Sequence, residues 1–143
     1  MPHSIFTSDT LEFAGPVIER MVGGTQAMLE ALERTGQPKP EPLIVNALID
    51  TGAGMTGFRT GVLAPLNLPL IGYSKVYTAG TVTQANLYNV RLGITSMGRV
   101  IGEFAVLDIP LEGQNLDCLI GRDVLSRATF VYQGFGNTYS LSF

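Results

Sequence analysis

Along most of the chain the apolar residues fall in short runs or at every second position, a spacing that belongs to strands rather than helices. Residues 43–49 read LIVNALI and predict a strand covered on both faces. Residues 71–78 and 81–92 flank Ala79-Gly80, and the second arm sets Val82, Ala85, Leu87, Val90 and Leu92 among polar neighbours, so a long hairpin is expected there. Residues 15–22, 100–108, 116–120, 129–132 and 138–143 are strand-like as well. Helical spacing is confined to two places. In residues 25–35, Met28, Leu29 and Leu32 share a face, Thr25 is placed to cap the start and Gly36 to end it. Residues 122–127 predict a second, short helix with Asp123 capping its first turn. The fold class is therefore mostly β.

The segment QPKPEP, residues 37–42, holds three prolines in six positions and reads as a connector. It does not divide the chain. Residues 1–36 carry too little apolar surface to fold alone, so residues 1–143 are expected to form a single domain with a helical and Pro-rich insertion at about 25–42.

Composition narrows the function. One cysteine and one histidine in 143 residues exclude a disulfide framework, structural zinc and a histidine-based triad deep in the fold; His3 is expected in a flexible start. Cys118, inside LDCLI, reads as a small buried hydrophobe. Nine Lys and Arg against twelve Asp and Glu give a net charge of −3, with the basic residues scattered singly, so no nucleic-acid stripe is present. A hydrophobic content of 45% with 17 glycines suits a turn-rich β domain or an oligomer, and no apolar run reaches membrane-spanning length. The first ten residues lack the basic and apolar regions of a secretory signal, which together with the unpaired cysteine points to the cytoplasm.

The chemistry concentrates in residues 47–56, ALIDTGAGMT, where Asp50 follows an apolar strand and is itself followed by Thr51, Gly52 and Ala53. A carboxylate at that edge is partly desolvated, and beside a second carboxylate it would share one proton, since two like charges so close do not both ionise. Such a pair is an acid and a base at once: one carboxylate takes a proton from water attacking an amide carbonyl while the other donates to the carbonyl oxygen. The bland reading is an Asx turn closing a strand, which uses the same residues for backbone reasons alone.

Asp50-Thr51-Gly52-Ala53 resembles the active-site signature of retropepsin-like aspartic proteases, and Leu119-Ile120-Gly121-Arg122-Asp123-Val124-Leu125 resembles their second signature. Between them lies room for a flap hairpin at residues 77–87 with Gly80 at its tip, and the resemblance extends over roughly residues 15–143. It implies a closed, barrel-like subunit with a flap and one short C-terminal helix. The chain has one Asp-Thr-Gly and no second one, so it implies a homodimer with Asp50 from each subunit on an isologous two-fold axis.

The same resemblance assigns roles. Asp50 would be the catalytic carboxylate, Thr51 would link the two active-site loops through its hydroxyl, and Gly52 would hold the substrate strand through its backbone. Ala53 and Gly54 would line the substrate, Ala79, Gly80 and Thr81 would close over it, and Arg122 would support the loop. The bland reading of Gly80 is a turn glycine and that of Arg122 a solvated helix start. The family usually carries Ser, Asp or Asn where this chain has Gly54, which leaves Arg122 without a local carboxylate. Residues 139–143 are placed by analogy at the dimer interface. The implied activity is an endopeptidase on extended polypeptides, with an acid-shifted optimum and no metal or organic cofactor. The alternative is a catalytically silent dimeric peptide-binding module on the same fold.

Overall fold

The computed structural model describes residues 3–78, 80–111 and 115–143. In chain order the elements are β1 (His3–Thr7), α1 (Leu11–Ala14), β2 (Val17–Gly23), α2 (Gln26–Arg34), β3 (Leu43–Ile49), β4 (Gly57–Arg59), β5 (Leu70–Thr78), β6 (Thr81–Ile94), β7 (Arg99–Ile109), β8 (Cys118–Ile120), α3 (Arg122–Leu125), β9 (Thr129–Gln133) and β10 (Thr138–Ser142). Strand accounts for 50% and helix for 19%, so the fold is mostly β.

The larger sheet runs β2-β3-β8-β4-β7-β6-β5, and β2 pairs with β6 as well. That extra pairing closes six strands into a barrel and leaves β5 outside as an edge. Alternation then decides what fills the barrel: Ile18 and Val22 of β2, Val45, Ala47 and Ile49 of β3, Val90, Leu92 and Ile94 of β6, and Val106 of β7 are all buried. Each valine, leucine and isoleucine among them contributes about 1.5–3 kcal/mol by leaving water. A smaller antiparallel sheet, β1-β10-β9, joins the two ends of the chain. Tyr139 and Leu141 of β10 turn into the core, Phe6 stacks on Tyr139 with ring centroids 5.2 Å apart, and the Tyr139 hydroxyl donates to the Val17 carbonyl.

Helix α2 forms where expected, with the Thr25 hydroxyl accepting from Met28 N at 3.2 Å. Its start is tied to β7 because Gln26 N donates to Glu103 Oε2 at 2.7 Å, a carboxylate at the positive end of a helix. Its apolar stripe is only half-buried.

Three expectations are corrected. Strand β3 is covered on one face only: Ile44 is 55% exposed and Asn46 is exposed, because none of the described residues covers them on the outside of the barrel. His3 is not in a loose start but opens β1, paired with Ser142. Asp123 is not the N-cap of α3, which is Gly121; its carboxylate accepts from Val124 N within the first turn and reaches beyond the helix to Thr56. Among the described residues no helix is long and apolar enough to cross a membrane.

Candidate active site

Two strands deliver the two signature segments side by side. β3 and β8 pair in parallel, Ala47 with Cys118, Leu48 with Leu119 and Ile49 with Ile120, so both chains leave the barrel at the same end. Asp50 is the first residue past β3, and its N–H continues the ladder by donating to the Ile120 carbonyl at 2.9 Å. The chain then turns back tightly. Gly52 N donates to Asp50 Oδ1 at 2.9 Å and Ala53 N to the Asp50 carbonyl at 3.2 Å. This is the Asx turn of the bland reading, and it fixes one carboxylate oxygen while no hydrogen bond among the described residues engages Oδ2. A Cβ on Gly52 would stand 3.1 Å from Oδ1, close enough to disturb that bond.

The second segment braces the first. Arg122 N donates to the Ala53 carbonyl at 2.8 Å, and its guanidinium Nη1 donates to the Thr51 carbonyl at 2.8 Å. Arg122 therefore finds a backbone partner in place of a carboxylate on residue 54; a Cβ on Gly54 would lie 3.6 Å from Nη2. Behind this layer, Asp123 accepts from Thr56 N at 3.0 and 3.1 Å, from the Thr56 hydroxyl at 2.8 Å and from Val124 N at 2.8 Å. Thr56 Oγ1 in turn accepts from Gly121 N at 3.1 Å. Gly121 is sterically required: a Cβ there would meet the Met55 carbonyl carbon at 2.5 Å and Thr56 N at 2.9 Å.

Asp50 and Ala53 are partly exposed, whereas Thr51, Gly52, Gly54 and Arg122 are exposed, so the loop forms an open face on the single subunit. The structure brings these six residues together. Gly80 and Thr81 sit apart from them in sequence and element, at the turn between β5 and β6, where Gly80 has φ 80°. Ala79 lies outside the described residues. Among the described residues no group of three His, Cys, Asp or Glu side chains could hold a metal ion.

Sequence reasoning missed Thr56, the reach of Asp123 and Arg20. Arg20 is fully buried on β2; its Nη1 donates to Cys118 Sγ at 3.9 Å, while Nε and Nη2 have no partner among the described residues. Burial lowers the Arg20 pKa and pushes the Cys118 thiol up to about 11, the nearby guanidinium opposing the latter shift. The signal was available: Ile18, Arg20 and Val22 share the inward parity of one strand.

No model of a known protein family matches the sequence, and no curated protein matches it. Solved structures do. The crystal structure of a retropepsin-like aspartic protease from Rickettsia conorii is similar over 88% of this chain and 91% of that one, with a TM-score of 0.54 and 15% identity. The retroviral protease-like domain of Ddi1 from Leishmania major is 18% identical over 68% of this chain and 78% of its own, with a TM-score of 0.45. The chain has the retropepsin-like fold.

Proposed function

We propose that the protein is a homodimeric aspartic endopeptidase whose active site forms when the Asp50 loops of two subunits meet. The observation that carries this reading is the Asp50 carboxylate itself, held by Gly52 N through Oδ1 on an exposed loop that Arg122 braces from below. Residues 1–143 act as one domain in this reading. Across the two-fold axis the paired carboxylates share a proton; one takes a proton from the attacking water and the other protonates the carbonyl oxygen of the peptide bond. Thr51 links the two loops, Gly52 holds the substrate backbone, Ala53 and Gly54 line it, and Ala79, Gly80 and Thr81 close over it. Arg122 fixes the loop and touches no substrate. No metal or organic cofactor takes part. The unpaired, buried Cys118 supports a cytoplasmic location.

The test is cleavage of an unbiased peptide mixture between pH 4 and 7 by wild type and Asp50→Asn, each above and below the concentration at which the subunit dimerises. Asn keeps the acceptor for Gly52 N, so the variant is expected to fold and dimerise normally while cleavage falls at least about 10³-fold. Dilution of the wild type is expected to abolish cleavage. A folded wild-type dimer that cuts nothing at any of these pH values overturns the reading in favour of a peptide-binding module.

A further inference from the structure

The pairing that closes the barrel leaves one strand with an open side. Among the described residues β5 is laddered to β6 and to no other strand, so along its outer edge backbone N–H and C=O groups face no strand partner. The strand is nine residues long. Its one irregularity lies at its start, between Leu70 and Gly72, and from Gly72 to Thr78 the register with β6 is unbroken. A regular edge of that length is a template on which an extended chain can add as one more strand.

The side chains say what that chain would carry. Alternation puts Tyr73, Lys75 and Tyr77 on one face of β5, opposite Asn86, Gln84 and Val82 of β6, and all three are exposed. Lys75 is the only charged residue between Arg59 and Arg91, and neither ion pair among the described residues involves it. Lysine on an edge also works against self-pairing: in an antiparallel pairing of two copies centred on residue 75, the two ammonium groups would face each other. A carboxylate in the facing position turns that repulsion into attraction, and the side chains two residues to either side of it would lie against Tyr73 and Tyr77. We infer that the free edge of β5 takes an extended peptide as an added strand, selecting an acidic residue opposite Lys75 with an apolar residue two positions to either side. The net charge of −3 opposes an acidic peptide only at long range, which physiological salt screens beyond about 8 Å. This edge shares no residue with the Asp50 loop, and its occupation does not depend on cleavage.

The probe is a blocked heptapeptide with Glu at its centre, Leu two residues to either side and Thr elsewhere; its siblings carry Gln or Lys at the centre. Each is titrated into the ¹⁵N-labelled full chain carrying Asp50→Asn, so that no peptide is cut. The Glu peptide is expected to saturate, to shift the amides of residues 72–78 most and to bind about fivefold more tightly than the Gln peptide, the upper range for an exposed ion pair. The Lys peptide is expected to bind weakest. Adding Lys75→Glu, a change at an exposed position that the fold tolerates, is expected to reverse this order, and high salt to shrink it. Equal affinity for the three peptides, or an order that Lys75→Glu leaves unchanged, overturns the inference. So do shifts of the β5 amides on dilution of the protein alone, which would make a second copy the occupant. Shifts gathered at residues 50–54 in place of β5 overturn it while favouring the protease reading. Binding of none of the peptides overturns it as well and leaves the protease reading to its own cleavage assay.

Discussion

The Asp50 loop and the tip of the β5–β6 hairpin are built in opposite ways. The loop is locked from several directions, by the Ile120 carbonyl, by Arg122 on Thr51 and Ala53, and by Asp123 on Thr56, and Gly121 lets two backbone segments meet within normal Cβ distance. Toward the hairpin tip fewer strands share the ladder. Residues 81–85 of β6 pair with β5, residues 86–88 with both β5 and β7, residues 89–94 with β7, and residues 91–94 with β2 as well. Tyr73, Tyr77 and Val82, at 59%, 75% and 56% exposure, bury little. A segment with few tertiary contacts opens at low free energy, while one held by crossed hydrogen bonds opens only with the domain. In the protease reading, a fixed carboxylate and a loosely held hairpin divide the labour that hydrolysis of an extended chain requires.

The sharpest way to break the contrast is to loosen the locked side. Gly121→Ala puts a methyl group 2.5 Å from the Met55 carbonyl carbon, where backbone has to move. The expected loss is about 3 kcal/mol or more in urea denaturation, with the Asp50 loop displaced and, in the protease reading, cleavage lost. Asp123→Ala comes next. It strips the acceptor from the buried Thr56 N–H and hydroxyl, and an expected loss of about 2–3 kcal/mol follows from leaving those donors unsatisfied. In a double-mutant cycle with Thr56→Val, a coupling of about 1 kcal/mol or more is expected; additivity would show that the two side chains do not brace each other.

What sequence could reveal follows the range of the interactions. The Asp50-Thr51-Gly52 turn, the Thr25-capped helix and the β5–β6 hairpin rest on neighbours within a few residues, and each is legible from local pattern. β1 was missed because HSIFT has weak alternation and its partner, β10, lies at the other end of the chain. β4 is three residues long and has no period to read. Asp123 was assigned to its own helix, where it does accept from Val124 N, because its other partner, Thr56, is 67 residues away. The apolar run of β3 suggested two covered faces, yet Ile44 is exposed, since hydrophobicity alone does not say whether a neighbour is present to cover it. Arg20 is the instructive case: it shares the inward parity of Ile18 and Val22, yet charged side chains are so seldom buried that composition gives no hint of it.

That buried pair beneath the locked side gives a pH prediction. The Cys118 thiol is raised to about 11 in the folded state from about 9.0, so between these values the unfolded chain has lost a proton that the folded chain keeps. Stability is therefore full below about pH 9 and falls as pH rises toward about 11, by up to about 1.4 kcal/mol per pH unit. Cys118→Ala is expected to flatten this slope in urea midpoints measured from pH 8 to 11. Below pH 9 native protein is expected to resist thiol reagents until it unfolds.

The smallest stability effect belongs to the hairpin tip. Gly80 turns the hairpin with φ 80°, a region that costs an alanine about 1 kcal/mol, and Gly80→Ala spends that strain where β6 is laddered to β5 and not to β7 or β2. Global stability is therefore expected to change by less than about 1 kcal/mol. Amide exchange at residues 81–84 is expected to be fast already in wild type and faster in the variant, while residues 90–94 of the same strand stay protected. In the protease reading, cleavage efficiency falls although the urea midpoint scarcely moves. A Gly80→Ala protein that loses as much stability as Gly121→Ala would show that the tip is bound to the body of the domain, and the contrast between the locked loop and the loosely held tip would fail.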